Sequence, residues 1–346
     1  MTTSELATET GVDRELVDMM NSVFAEHRDG HPPTGTITRD VEFWSRLNQL
    51  GLVRLSGSVD TGGSGASWRE AAELFSAAVR HAVRMPLAEH DVLACWLLEE
   101  LGAPIGEAAR TVCVVDESGT AAAVPWASTA ERVVVIWPHN DIHLLADVDR
   151  ADLRIDPGCN TIGEPRDTVS VDVSALTGIA VTAELLTKLR LKSALLRSIQ
   201  VCAALDTILE LSVEHTSSRI QFGRPLSKFQ AIQQLISDIA AEAALARAAT
   251  EAALAAAVDS DWSATNLGFL VAVARSCTGH ATSVAVRNAH QVLGAIGTTL
   301  EHRLHEYTRA ALAWRSEFGS VHQWDEEVAG AALTAGADGL WSLISG

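Results

Sequence analysis

The residue types best suited to chemistry crowd into one short stretch, Ser218-Arg219-Ile220-Gln221-Phe222-Gly223-Arg224-Pro225-Leu226-Ser227-Lys228-Phe229-Gln230. It carries two arginines, two glutamines and aromatic side chains, but no acid. An arginine is the best charge-assisted donor a protein has for an anionic group. Read only as turn chemistry, the same residues make a helix corner with solvated charges. Further along, Gln291-Val292-Leu293-Gly294-Ala295-Ile296-Gly297 forms a second glycine-bearing run, followed by Glu301 and His302.

Two helical segments must position the first stretch. Upstream, Leu185, Leu189, Leu196, Ile199 and Ala203 recur every three or four residues, and downstream Phe229, Ile232, Leu235, Ile236 and Ile239 do the same. That is the period of one helical face. Gly223 and Pro225 break the pattern, and neither suits a helix interior. Ser227 with Gln230 three positions on reads as a capping box that opens the second helix. The stretch is therefore predicted to be a tight corner between two helices. Periodicity places C-terminal helices at roughly 183–217, 227–257, 263–290, 300–316 and 321–344, a bundle.

Before residue 102 the pattern is also helical. Asp40 can cap a helix carrying Phe43, Trp44 and Leu47 and stopped at Gly51. Ser67 and Glu70 form a capping box ahead of Leu74, Phe75, Ala78 and Val79. Another helix runs from Glu89 to Leu101. Thr61-Gly62-Gly63-Ser64-Gly65 lacks the Lys-Ser/Thr and preceding strand of a phosphate-binding loop, so it reads as a surface loop. Between Ala103 and Gly178, short apolar runs at Thr111 to Val115, Arg132 to Trp137, Ile142 to Val148 and Val169 to Val173 predict a small antiparallel β domain. The predicted divisions are 1–102 helical, 103–180 β and 181–346 helical.

The 346 residues carry a formal net charge of −18, which excludes the basic footprint that nucleic acid needs and disfavours an anionic membrane surface. Five cysteines, Cys95, Cys113, Cys159, Cys202 and Cys277, are scattered and form no Cys-x-x-Cys pair, so neither a zinc site nor a disulfide framework is expected. The opening Met1-Thr2-Thr3-Ser4-Glu5 has no basic region and no apolar run, so no signal peptide is expected. Lys192, Arg197 and Asp206 interrupt the most apolar segment, so no bilayer span is expected either. A cytoplasmic protein follows by exclusion.

The run Arg-x-Gln-Phe-Gly-x-Pro-Leu-x-x-Phe-Gln at 219–230 resembles the corner between the long C-terminal helices of acyl-CoA dehydrogenases. Gln291 to Gly297 with Glu301 resembles that family's Gln-x-x-Gly-Gly-x-Gly-x-x-x-Glu loop, with Ala295 in place of the second glycine. Val124-Pro125-Trp126-Ala127 and Gly163-Glu164-Pro165-Arg166 resemble pieces of its middle domain. The resemblance implies a mainly α fold with a small β domain: an N-terminal helical domain, a middle antiparallel β domain and a C-terminal four-helix bundle. It implies FAD, an acyl-CoA substrate and an electron acceptor such as an electron-transfer flavoprotein. By position, it makes Arg219, Gln221, Phe222, Gln230, Gln291, Gly294 and Ala295 the cofactor-binding residues, reaching FAD of a neighbouring subunit. The alternative for each is a helix-corner or dimer-contact residue. No metal is implied, so Glu301, His302 and His305 read as a polar helix-start cluster. Trp126, Trp137 and Trp314 read as core or interface anchors.

Two features of the family are missing. A Thr-x-Pro-x-x-Gly-Ser-Asp run that holds flavin and thioester is absent, and against the family the middle β domain at 103–180 reads as truncated, which puts this chain's own flavin pocket in question. The family's catalytic carboxylate occupies one of two positions. In the first, Arg315-Ser316-Glu317-Phe318-Gly319-Ser320 puts Phe318 at the base position, with Glu317 one residue early. The second falls near Ser193, beside Lys192, with no carboxylate in reach. The resemblance thus extends to the short subunit of α2β2 acyl-CoA dehydrogenases of actinobacterial steroid catabolism, whose longer partner supplies the base. Two alternatives stand: a self-sufficient homo-oligomer using Glu317, and a structural or regulatory partner that binds no FAD.

Overall fold

A computed structural model of the chain describes residues 11–31 and 37–345. Met1 to Glu5, in which the sequence predicts no signal peptide, lies outside the described residues. The chain forms two compact units, Met1–Lys192 and Ser193–Gly346.

In the first unit, helices α1 (Arg14–Gly30), α2 (Val41–Gln49) and α3 (Trp68–Arg80) precede the sheets. Asp40 caps α2 by accepting the Phe43 N–H at 2.9 Å, and Ser67 and Glu70 form the expected capping box on α3. The glycine loop is closed on itself: Gly63 and Gly65 donate to the carbonyls of Ser58 and Gly57, and Arg54 ties Thr61 to Glu99. The segment expected as one α-helix from Glu89 begins instead as a π-helix, Glu89–Cys95, and becomes α only over α4 (Trp96–Glu100). π-Turns are rare and cluster where side chains must be re-aimed. Here the wider turn buries His90 and Asp91. His90 Nδ1 accepts the Arg110 N–H at 3.0 Å, and Asp91 accepts the Ser56 N–H at 2.9 Å.

Seven strands follow: β1 (Arg110–Val114), β2 (Thr120–Pro125), β3 (Arg132–His139), β4 (Ile142–Asp149), β5 (Arg154–Asp156), β6 (Arg166–Ser170) and β7 (Ile179–Val181). They make two sheets, β1-β3-β4-β7 and β2-β6-β5. All pairings are antiparallel except β1 with β3, which run parallel with Val112 opposite Val134. Alternate residues Val133, Val135 and Trp137 of β3 enter a core with Val148 and Val169.

The second unit holds most of α5 (Ala183–Ser218), then a hairpin of β8 (Ile220–Gln221) and β9 (Arg224–Pro225), α6 (Gln230–Asp259), α7 (Leu267–Leu293), α8 (Leu304–Trp314) and α9 (Val321–Ser345), which kinks at Gly336. From Ser193 to Leu205 nearly every side chain of α5 is buried, so this part of the helix has no solvent face. Helices α6 and α7 pack together through small residues, with Ala243, Ala246 and Ala253 buried on one and Ala274, Ala281 and Ala285 on the other. Small side chains let two helices approach closely.

Contrary to the sequence expectation, the segment Leu267–Thr298 is long and apolar enough to cross a bilayer by composition, with a mean hydropathy of 1.2 over its most apolar 18 residues. Its alanines and valines produce that value. Arg275 within it is fully buried and donates to four carbonyls of the same unit, which is how a core helix is built.

Candidate functional site

The corner after α5 is more elaborate than a simple turn. The chain leaves the helix, pairs Ile220 with Pro225 and Gln221 with Arg224, and reverses through Phe222 and Gly223. Both have positive φ, 52° and 78°, the signature of a type I′ hairpin turn. Glycine is suited to that conformation; phenylalanine is not. The strained turn leaves Phe222 89% exposed. The Phe229 ring stands edge-on to Phe222 at 6.1 Å, and the Arg224 guanidinium lies 4.2 Å from the Phe229 centroid. Arg219, Gln221 and Gln230 are likewise exposed.

The expected Ser227–Gln230 capping box does not form. Leu226–Lys228 is a single 3-10 turn, Phe229 occupies the N-cap without a side-chain bond, and α6 starts at Gln230. Gln233 reaches back instead, donating to the Ser227 carbonyl at 2.9 Å. The fixed φ of Pro225 feeds the 3-10 turn and leaves Ser227 inside it rather than ahead of the helix.

The second run ends α7 and turns through a 3-10 segment, Gly294–Thr298. Gly294 has φ 65° and ψ −142°, which only glycine tolerates. Gln291, Gly294 and Ala295 are exposed. The two runs meet through His215, on the last turn of α5, and His302, whose rings stand perpendicular with centroids 6.2 Å apart. His302 follows the second run beside Glu301 in the sequence; His215 carries no signal beyond its place four residues ahead of Arg219. Among the described residues, no three His, Cys, Asp or Glu side chains are grouped as metal ligands. His302, His305 and Leu304 bond to one another as a helix start: Leu304 N–H donates to His302 Nδ1 and His305 Nδ1 meets the His302 carbonyl.

Glu317 is engaged elsewhere. Its carboxylate accepts from Arg197 Nε at 2.8 Å, and Arg197 is 1% exposed. The Arg197 guanidinium also lies 5.1 Å from the Phe318 centroid and donates to Gln200. Arg275 Nη2 donates to the Arg315 and Glu317 carbonyls at 2.9 and 2.8 Å, binding the turn to α7. Burial holds its guanidinium down to about 10. Releasing Glu317 for proton transfer would strand a buried guanidinium, at a cost of about 3–5 kcal/mol. At the second position, near Ser193, the neighbouring charge is a cation: the Lys192 ammonium sits over the rings of Trp96 and Trp68, at 4.4 and 4.8 Å. Trp126, Trp137 and Trp314 are buried in cores. All five cysteines are free, and burial pushes the Cys95 and Cys113 thiols up to about 12, so neither is a nucleophile.

A family model described as "Acyl-CoA dehydrogenase, C-terminal domain" matches residues 177–321. The chain is 27% identical over 291 residues to the acyl-CoA dehydrogenase FadE34 of Mycobacterium tuberculosis, covering 80% of this chain but 40% of that relative. It thus spans less than half the length of this curated relative. Among solved structures, a chain of the ChsE4-ChsE5 complex from Mycobacterium tuberculosis matches with a TM-score of 0.80 at 19% identity, over 94% of this chain and 98% of that one. A chain of the Tcur3481-Tcur3483 steroid ACAD matches with a TM-score of 0.81 at 21% identity, with the same coverage. Residues 177–321 thus match an acyl-CoA dehydrogenase C-terminal domain in sequence, and the chain shares the fold of these solved structures along nearly its whole length.

Proposed function

We propose that this chain is the cofactor-clamping subunit, without a catalytic base, of a hetero-oligomeric acyl-CoA dehydrogenase that acts on a bulky steroid-derived acyl-CoA. The observation that carries the reading is the hairpin. A strained turn that leaves Phe222 almost fully exposed beside exposed Arg219 and Gln221 is a surface built for something outside the chain. The residues fit one face of FAD: Arg219 supplies a guanidinium for the diphosphate, Gln221 and Gln291 supply amides, Phe222 supplies an apolar ring, and the Gly294–Ala295 turn permits close approach. When bound, FAD supplies the hydride acceptor for α,β-dehydrogenation.

The proton must go to a carboxylate, and neither base position of this chain offers one. Glu317 is neutralised by Arg197, and the other position has Lys192 beside it. A longer partner subunit therefore provides the base and the rest of the flavin pocket. The likeness to a two-component complex and to a steroid ACAD supports this assembly and substrate class. An electron-transfer flavoprotein is the fitting acceptor for the reduced cofactor.

Replacing Arg219 tests the assignment. Arg219→Ala should strip FAD from the purified assembly without changing its oligomeric state or the thermal midpoint of the flavin-free protein. Full flavin content in that variant would overturn the clamp and favour a partner that binds no FAD.

A further inference from the structure

We propose that His215 and His302 belong to the same anion site as Arg219, and that they couple its occupation by a diphosphate to the uptake of a proton at His215. The inference rests on the reading above, in which Arg219 grips the FAD diphosphate. Helix α5 places His215 one turn before Arg219, whose N–H donates to the His215 carbonyl at 2.9 Å. The loop after Gly294 brings His302 against His215, with the rings perpendicular and 6.2 Å apart. Both imidazoles are part-exposed; His215 stands four residues before Arg219 and His302 seven after Ala295, so the pair joins the ends of the two runs.

The two rings have different parts to play. His302 Nδ1 accepts the Leu304 N–H at 3.1 Å, which leaves Nε2 to carry the proton of the neutral ring. Protonating Nδ1 would break that bond, so His302 serves an anion as a fixed neutral donor. No such bond pins either nitrogen of His215 among the described residues. Burial first, then His302 and Arg219, depress its basicity. The charged groups that act on His215 are His302 and Arg219, while Glu214, His305 and Arg303 act on His302. A dianion placed beside Arg219 cancels the cationic influence on His215 and adds an attraction for imidazolium. His215 then takes a proton from solvent, and the anion binds more tightly at lower pH.

FAD is a clean probe because its diphosphate diester keeps one charge state through the relevant range. The full chain, in the assembly in which it purifies, is freed of flavin and titrated with FAD by calorimetry in buffers of different ionisation enthalpy. The wild type should take up a fraction of a proton, and its affinity should fall as pH rises, by up to about tenfold in all for one unit of pKa rise on binding. His215→Gln should abolish the uptake and flatten the profile while leaving the thermal midpoint in place. His302→Gln should weaken binding at every pH and keep the slope. If wild type binds FAD with no proton uptake, or if His215→Gln keeps the wild-type slope, the coupling is wrong. Arg219→Ala separates the two claims: wild-type affinity there refutes the clamp, whereas lost affinity there with an unaltered His215→Gln profile refutes only the coupling.

Discussion

The Arg197 guanidinium and the Glu317 carboxylate are 2.8 Å apart across 120 residues of sequence, one on the buried stretch of α5 and the other in the turn after α8. The pair decides what Glu317 is for. An ion pair with one member buried is costly to halve, because the remaining charge has no water to return to. Glu317→Gln and Glu317→Ala should each destabilise the fold by about 3 kcal/mol in urea unfolding. Arg197→Met with Glu317→Leu should recover part of that loss, a coupling that a double-mutant cycle would detect. A catalytic base would behave in the opposite way, with unchanged stability and abolished turnover.

The π-helix predicts an unusual dependence of stability on pH. Burial pushes the Asp91 carboxyl up from 3.8 to about 7, and burial with Arg110 nearby pushes His90 down from 6.5 to about 3. A carboxyl raised in the fold gives its full contribution to stability below 3.8 and loses it as pH climbs to about 7. A histidine depressed in the fold does the reverse, contributing fully above 6.5 and losing it as pH falls toward 3. Across mildly acid pH the two oppose each other. Asp91→Asn removes one arm and keeps an acceptor for the Ser56 N–H. The variant should be more stable than wild type near pH 8, by on the order of a few kcal/mol, with the gain shrinking toward about pH 4. Equal gains at both ends, measured by urea unfolding, would mean that Asp91 is not ionised with difficulty.

Phe222 should contribute to binding and not to folding. Its side chain buries almost nothing, and its φ of 52° opposes an L side chain. Phe222→Gly relieves about 1–2 kcal/mol of backbone strain and adds about 0.5–1 kcal/mol of chain entropy to the unfolded state. Thermal unfolding should therefore stay close to wild type, while FAD dissociates faster. A drop of several degrees would place Phe222 in the packing instead.

Much of the architecture was legible in the sequence, because long periodic helices leave a strong signal. The five C-terminal helices lie close to where the apolar spacing puts them, and the Asp40 and Ser67 caps form as their residue types dictate. What escaped reading depends on contacts distant in sequence or on local compromises. The strands β2, β5 and β7 are short or alanine-rich and carry little alternation. The parallel pairing of β1 with β3 has no local signature. Ser227 and Gln230 have the right spacing for a cap, yet the hairpin ahead of them claims Pro225 and shifts the helix start. At the site, the motif residues were readable one by one, and the pair formed by His215 and His302 was not. Nor did one residue of offset reveal that Glu317 is bound to Arg197.

The central claim is that this chain completes a flavin site whose other half lies in a longer subunit. Flavin absorbance per protein mass, for the chain purified alone and co-expressed with a longer acyl-CoA dehydrogenase subunit, tests it most directly. The account predicts a colourless or insoluble lone chain and about one FAD per heterodimer in the pair. A lone chain that binds FAD fully and is bleached by an acyl-CoA would contradict it, and would return Glu317 to candidacy as the base.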